Sequence, residues 1–294
     1  MSNMLRVGGF RGWRIIAVSL LLAVSGCSAL HFAYTQAGEL TYWWLDSYVD
    51  FDGAQTPRTR EAITQWFAWH RKTQLPDYVA LLDRAATEAE HDTTPAQACR
   101  WLDDIRTRVD RAVEHALPDA AAIAATFSAK QLSHLERKQA KKNAEFRDEF
   151  LQPDPAKRLA GSVDRVVERA EQLYGRLDRS QRERVAQALA VSPFDPERWL
   201  AERQQGQRHL LQTLRRLQNG ALPRAAAVEA LRLHWQEVQH PPDEAYARYQ
   251  QRLDSANCDL LAQIHNHTTP GQRREAQRRL RGWEADLRRF TAPA

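Results

Sequence analysis

The stretch TPGQRREAQRRLRGWEADLRRF, residues 269–290, decides the fold class of this chain. Its apolar residues recur at steps of three and four, and they are Ala276, Leu280, Trp283, Leu287 and Phe290. This spacing places all five side chains on one face of an α-helix. Thr269 stands three residues before Gln272, which is the capping-box pattern that marks the start of a helix. The stretch therefore predicts an amphipathic helix with one buried face.

The same two signals recur along most of the chain. A capping oxygen is followed three residues later by Gln at Thr94, Ser128 and Asp178. Apolar residues have helical spacing in three further segments: Ala98, Leu102, Ile105, Val109 and Ala112; Val228, Leu231, Trp235 and Val238; Tyr246, Tyr249, Leu253, Ala256 and Leu260. Prolines such as Pro118 recur at helix-length intervals and are interpreted as helix starts. The sequence predicts an all-α fold, a multi-helix bundle of about nine or ten amphipathic helices.

The N-terminal residues have the layout of an export signal. Three arginines without acids precede an apolar run from Ile15 to Val24, which is shorter than the run of about 20 apolar residues that a membrane span needs. The segment Val24-Ser25-Gly26-Cys27 resembles the lipobox of bacterial lipoproteins, although an ordinary signal peptide with a chance cysteine would also fit. We expect a lipoprotein signal peptide at 1–26, a lipidated tether at 27–38 and a helical domain at 39–294. If the domain is divided, the boundary is expected near 177–196.

The lipobox resemblance implies where the mature chain resides. In such lipoproteins Cys27 would become the acylated N-terminus, and two or more acyl chains make a stable anchor. No Asp follows Cys27, and in Gram-negative lipoproteins this favours the outer membrane. The expected location is therefore the outer membrane, lipid-anchored on the periplasmic side, with the membrane as a partner through Cys27.

Charge argues against nucleic acid as a partner. The whole chain has 42 basic and 37 acidic side chains, but residues 1–26 carry three of the arginines and no acids, so the mature chain has a net charge of only +2. An exported protein would also rarely meet nucleic acid. We therefore expect no nucleic-acid partner.

Two cysteines, Cys99 and Cys258, remain after Cys27. An even number in an oxidising compartment is compatible with one disulfide. Two buried free thiols are the other interpretation, and the sequence leaves both open.

The stretch YWWLDSYVDFD, Tyr42 to Asp52, is rich in aromatic rings and aspartates. On a helix its apolar face would hold Trp44, Leu45, Tyr48 and Val49, with Trp43, Asp46, Ser47 and Asp50 on the opposite face. We expect a first bundle helix whose rings pack inside. The alternatives are a partner-binding surface and a seat at the lipid headgroups, against which the aspartates argue because anionic headgroups repel them.

The order of the lipobox, Trp44 to Asp52, Trp66 to His70 and Leu75-Pro76-x-Tyr78 resembles an uncharacterised family of helical Gram-negative lipoproteins, a domain of unknown function. The resemblance implies a helical envelope lipoprotein with Tyr42 to Asp52 as a family signature, and it supplies no catalytic residues. The candidate partner-binding residues are Trp43, Trp44, Asp46, Tyr48, Asp50, Asp52, Trp66 and Trp69. A weaker likeness links Phe127–Gln131 and Leu177–Gln181 to the Leu-Thr-x-x-Gln repeats of periplasmic helical stress chaperones, but capping boxes explain both segments.

Motifs typical of enzymes are absent from the sequence. It has no His-Glu-x-x-His, no Gly-x-Ser-x-Gly, no phosphate loop and no Cys-x-x-Cys. His265 and His267 are two residues apart and do not share a helix face, so we expect no metal site, and no cofactor. The sequence favours a non-enzymatic, lipid-anchored envelope binding protein, an adaptor or a chaperone-like holder, whose partners are envelope proteins. The alternative is a hydrolase that acts on cell-envelope material.

Overall fold

The computed structural model describes residues 33–218 and 222–291, and every long regular element in these ranges is a helix. The helices are α1 (Ala37–Val49), α2 (Gln55–Thr73), α3 (Leu75–Glu88), α4 (Pro95–Ala124), α5 (Ala129–Phe150), α6 (Pro155–Tyr174), α7 (Arg179–Ala190), α8 (Pro196–Gln218), α9 (Arg224–Gln239), α10 (Glu244–Asn266) and α11 (Pro270–Thr291). The predicted all-α class is confirmed. The described ranges hold slightly more helices than the nine or ten expected, partly because the single residue Gln74 both ends α2 and precedes α3.

The four capping boxes predicted from sequence are confirmed. Thr94, Ser128 and Asp178 each accept a hydrogen bond from the backbone of the Gln three residues later, and the Gln side chain accepts one in return. Thr269 and Gln272 make the same reciprocal pair, at 2.9 and 3.2 Å. These bonds satisfy backbone amides that have no partner within the helix.

Three of these boxes take part in paired glutamine amides that join one helix start to another. Gln131 of the Ser128 box exchanges hydrogen bonds with Gln55, at 2.6 and 3.3 Å, and Gln55 also pairs with Asp52 ahead of α2. Gln181 exchanges bonds of 2.7 and 3.0 Å with Gln272 in the same way. The N-termini of α2 and α5, and those of α7 and α11, are therefore held together by paired side-chain amides.

Pro118 does not start a helix, contrary to the sequence-based expectation. It lies inside α4, which is 30 residues long. A proline removes one backbone hydrogen bond from a helix interior. The neighbouring residues Leu117 and Ala121 are buried in the central core, so tertiary packing holds the helix together across this position.

The central core is built from α4, α5, α8 and α9. Its buried residues are Leu117, Ala121, Ala124, Leu132, Leu135, Leu211, Leu214, Leu217, Ala227 and Leu231. Two other predicted apolar stripes are only partly covered, since Ile105, Val109 and Val238 are 49%, 41% and 49% exposed. Helices α4 and α9 therefore carry apolar surface that the neighbouring helices do not cover.

The stretch at residues 269–290, whose apolar spacing predicted a helix, forms α11. This helix packs most extensively against α3. Leu287 contacts the cluster of Leu75 and Val79, and Leu280 contacts Ala86 and Ala89, so the predicted apolar face is the buried one. The arginines of α11 are used locally. Arg273 pairs with Asp92, Arg279 with Glu275, Arg281 with Asp83 and Glu284, and Arg288 with Glu284.

One acidic residue of α11 is fully buried. Asp286 is 0% exposed, and neither of its carboxylate oxygens has a hydrogen-bond partner. Arg289 Nη1 lies 3.5 Å from Asp286 Oδ1 and forms an ion pair with it. A buried carboxylate without hydrogen bonds is costly, so Asp286 is a local weak point in this interface.

A disulfide joins Cys99 of α4 to Cys258 of α10, with a Cα–Cα distance of 5.2 Å and a sequence separation of 159 residues. The cross-link lies where α10 packs along the first half of α4, close to an ion pair between Arg106 and Asp254 at 2.8 Å.

The described residues include only part of the expected domains. The signal peptide at 1–26, Cys27 and the tether up to residue 32 lie outside the described residues. Helix α1 begins at Ala37, two residues before the expected limit at 39. Helices before and after residues 177–196 pack together, α3 on α11 and α4 on both α9 and α10. None of the helices in residues 33–218 and 222–291 is both long and apolar enough to cross a bilayer.

Candidate binding groove

A groove of about 1280 Å³ opens on the surface where α2 and α9 both pack against α4. Three tryptophans line it: Trp66 and Trp69 from α2, and Trp235 from α9. Exposed apolar surface in a concave site is what a protein presents to a ligand or a partner segment. We call this groove between α2, α4 and α9 the candidate binding groove.

Hydrogen bonds and stacking fix the aromatic wall on the α2 side. The Trp66 indole Nε1 donates to the carbonyl oxygen of Ala112 at 3.0 Å. The Trp69 ring stacks on His115 of α4, with ring centroids 3.8 Å apart and planes 11° apart. The wall is therefore pre-formed, since its rings are already oriented by contacts with α4.

The opposite wall comes from α9. The Trp235 Nε1 donates to Asp110 Oδ1 at 3.0 Å, and this bond ties α9 to α4. Leu233 also lines the groove and is 51% exposed. An exposed leucine beside positioned tryptophans adds apolar surface to the lining of the groove.

Acidic side chains outnumber basic ones in the groove. Arg232 donates from Nε to both carboxylate oxygens of Glu114 at 3.0 Å and also pairs with Glu229. Hydrogen bonds from Arg232 lower the pKa of Glu114. Asp110, Glu114, Asp119 and Glu237 stand against Arg111 and Arg232 among the lining residues, so the groove has a net negative charge with its histidines neutral.

The structure separates the two halves of the predicted partner-binding set. Trp66 and Trp69 lie in the groove, but no residue from Tyr42 to Asp52 lines it. Two of the aspartates have backbone roles instead. Asp46 accepts from the amide of Phe51 at 2.9 Å, and Asp52 accepts from the amides of Ala54 and Gln55 at the start of α2.

The expectation that Trp44 packs inside the bundle is wrong. Trp44 is 61% exposed and Trp43 is 59% exposed, whereas Tyr42 and Val49 are buried. Helix α1 packs on α2 and α5, with Gly38 close to Ile63 and Phe67 of α2. The face towards the bundle is therefore the Tyr42 face, and the two tryptophans point away from it. Tyr48 is half-buried against the Trp44 ring, 5.2 Å away.

The sequence did not indicate Trp235, His115 or Arg232 as groove residues. Trp235 stood inside an apolar stripe and looked like a core residue, and the other two had no local pattern. Only the packing of α2 and α9 on the same helix brings them together.

A smaller cavity of about 360 Å³ lies beside α8, α9 and the start of α10. His209 Nδ1 is 3.6 Å from Glu237 Oε2 at its edge. Burial raises the pKa of Glu202 and lowers that of His234. Its lining residues include no serine, threonine or cysteine, so the described part of this cavity has no hydroxyl or thiol nucleophile other than the Tyr246 phenol.

The histidines of α10 have structural contacts. His265 Nδ1 is 2.9 Å from the Tyr174 hydroxyl and its Nε2 is 2.7 Å from the carbonyl oxygen of His91. His267 contacts the carbonyl oxygen of Gln263. Within the described ranges, no group of three or more His, Cys, Asp or Glu side chains is arranged to hold a metal ion.

A family of unknown function, DUF6279, matches residues 47–238. The chain belongs to the DUF6279 family. The match includes α2, α4 and α9, and with them all three groove tryptophans. The match starts at Ser47, so Trp43 and Trp44 lie outside the matched residues. The expected family signature from Tyr42 to Asp52 is therefore only partly included. No curated protein and no solved structure matches the chain.

Proposed function

We propose that this protein is a lipid-anchored envelope binding protein that uses the groove between α2, α4 and α9 to hold a segment of another envelope protein. The observation that carries the proposal is the pre-formed aromatic groove, where Trp66, Trp69 and Trp235 surround exposed apolar surface. The lipobox at Val24 to Cys27 supports an anchor on the periplasmic side of the outer membrane. The protein would act as an adaptor or a chaperone-like holder, without catalysis.

The groove favours a particular kind of segment. Its rings and Leu233 offer apolar contacts, and its excess of carboxylates favours positive charge. A cation over an indole face gains further attraction. The preferred occupant is therefore a peptide segment with a large apolar side chain and at least one lysine or arginine nearby.

Site-specific photo-crosslinking in living cells tests this proposal. A photoreactive residue at Leu233 or Gln236 lies in the groove, and one at Val191, which is 82% exposed and outside the groove, is the matched control. One discrete protein captured from the groove alone would support an adaptor. A spread of unrelated outer-membrane precursors would support a holder. Equal capture from Val191, or no capture from the groove, would refute the groove as the binding site.

The anchor has its own test. Cys27→Ser removes the thiol that a lipobox acylates, so the variant should lose palmitate labelling and appear in the soluble periplasmic fraction. Labelling that persists in the variant would contradict the lipobox. The result is independent of the groove, because the substitution leaves every groove residue unchanged.

The hydrolase alternative rests on the His209–Glu237 pair in the smaller cavity. A histidine and a carboxylate can activate water together. If envelope material were the substrate, His209→Ala and Glu237→Gln would each abolish its turnover by the purified protein. Turnover that neither substitution changes would remove this cavity as an active site.

A further inference from the structure

The outward face of α1 is apolar and uncovered. Leu40, Trp43 and Trp44 are 59%, 59% and 61% exposed. Their spacing of three and four residues places them together on one side of the helix. Tryptophan and leucine on the free face of an amphipathic helix are typical of segments that lie in a membrane interface.

Cations border this face on the side of α5. His134 Nε2 is 3.2 Å from the carbonyl oxygen of Ser47, so the outer face of α5 adjoins the exposed face of α1. Lys138 Nζ is 5.3 Å from the Tyr48 ring, which itself contacts Trp44. Lys130, Arg137, Lys138 and Lys141 follow the same side of α5 at helical spacing.

These four cations are available to an external anion. None of them forms an ion pair with any carboxylate of residues 33–218 and 222–291. The nearby acids are already engaged: Glu145 pairs with Lys142, Glu39 pairs with Arg60, and Asp46 accepts from Phe51. Asp46 is half-buried and bonded to Phe51, whereas Asp50 and Asp52 are exposed at and just beyond the end of α1, so the four cations outnumber the exposed aspartates of this stretch.

Few residues separate the expected acylation site from the start of the described chain. Cys27 precedes Ala33 by only six residues, so an extended connection spans at most about 20 Å. Helix α1 is the first long helix of the described chain. Any acyl chain on Cys27 keeps α1 near the lipid surface.

We infer that the Leu40, Trp43 and Trp44 face of α1 and the cationic row of α5 form a docking surface for a phospholipid bilayer with anionic headgroups. The rings lie at headgroup level and the lysines contact lipid phosphates, which fixes the orientation of the helical bundle on the membrane. The inference adds an orientation to the proposed lipid anchor, but the contact itself does not require acylation.

Vesicle binding by the unacylated protein tests the inference separately from the proposed function. The mature Cys27→Ser chain, starting at residue 27, is mixed with vesicles of phosphatidylethanolamine and phosphatidylglycerol, and the bound fraction is measured by flotation. The protein has no acyl chain and no protein partner in this assay, so neither a wrong lipobox nor a wrong groove affects the result. We expect binding that weakens with added salt.

Two paired substitutions identify the contact. Trp43→Ser with Trp44→Ser, and Lys138→Glu with Lys141→Glu, should each weaken vesicle binding by about tenfold or more. Val191→Ser removes an even more exposed apolar side chain elsewhere and should leave binding unchanged. All substituted side chains are largely on the surface, and equal melting temperatures verify that the variants are folded.

Other results would overturn the inference. Binding that is equal in the parent and in both paired variants would mean that another surface meets the lipid. No binding to the mixed vesicles would exclude docking by this face. Capture of a single envelope protein from a photoreactive residue at position 43, without vesicle binding, would assign the face to a protein partner instead.

Discussion

The substitution Gln131→Glu should destabilise the protein, although it conserves the capping box of α5. Glutamate is the residue that capping boxes favour at this position, and its carboxylate can still accept from the Ser128 amide. The Gln131 amide nitrogen, however, donates to the carbonyl oxygen of Asp50 at 2.9 Å and to Gln55 Oε1 at 2.6 Å. A carboxylate has no hydrogen to donate to either oxygen.

The structure sets the magnitude of this effect. Gln131 is 6% exposed and Gln55 is 4% exposed, so water does not readily replace the lost donor. Rotating the Gln55 amide would not repair the contact, because its nitrogen also donates to Thr126 and its oxygen accepts from Asp52. Gln55 Oε1 is buried and the Asp50 carbonyl is partly buried, and leaving both acceptors facing a carboxylate should cost about 2–4 kcal/mol of unfolding free energy in total. This corresponds to a decrease of roughly 4–16 °C in Tm.

Thermal and urea unfolding of Gln131→Glu and Gln97→Glu provides the measurement. Gln97 occupies the same position in the Thr94 box, and its side chain bonds to the neighbouring Thr93 and Thr94. The control should therefore change stability by less than about 0.5 kcal/mol. Equal effects of the two substitutions would show that the amide pair between Gln55 and Gln131 contributes nothing beyond the local cap.

Three further outcomes are expected. The double substitution Cys99→Ser with Cys258→Ser should lower the unfolding free energy by as much as about 5 kcal/mol, because the disulfide closes a loop of 159 residues in the unfolded chain. An equal urea midpoint for the oxidised and the reduced protein would contradict this stabilisation. Burial lowers the pKa of His70 and His265, so the folded protein disfavours the charged forms of both imidazoles. Their full contribution to the unfolding free energy should be present above about pH 6.5 and should be lost as the pH decreases towards 5. A constant Tm across this interval would show that neither imidazole is held neutral. Asp286→Ala should raise stability by about 1 kcal/mol in calorimetry, because it removes a buried carboxylate without hydrogen bonds; a lower Tm would show that Asp286 has a partner that stabilises it.

Sequence patterns predicted those features of the fold that depend on neighbouring residues. The capping boxes at Thr94 and Ser128 formed as expected because they involve side chains three residues apart. The apolar face of α11 is the buried face for the same reason. Pro118 and Trp44 departed from expectation because their environments are set by distant segments: buried contacts hold α4 together across the proline, and α1 turns its Tyr42 face to the bundle.

The candidate groove was predictable only in part. Trp66 and Trp69 were identified because aromatic residues cluster in one short segment, whereas Trp235 looked like core and His115 had no signal. Sequence by itself determined that the chain is helical and where several of its helices start, since both follow from local spacing and local hydrogen bonding. Tertiary structure decided which capping glutamines also join helices, which tryptophans face outward and where a groove opens. Those properties depend on which helix covers which face, and burial of apolar surface between residues far apart in the chain sets that choice.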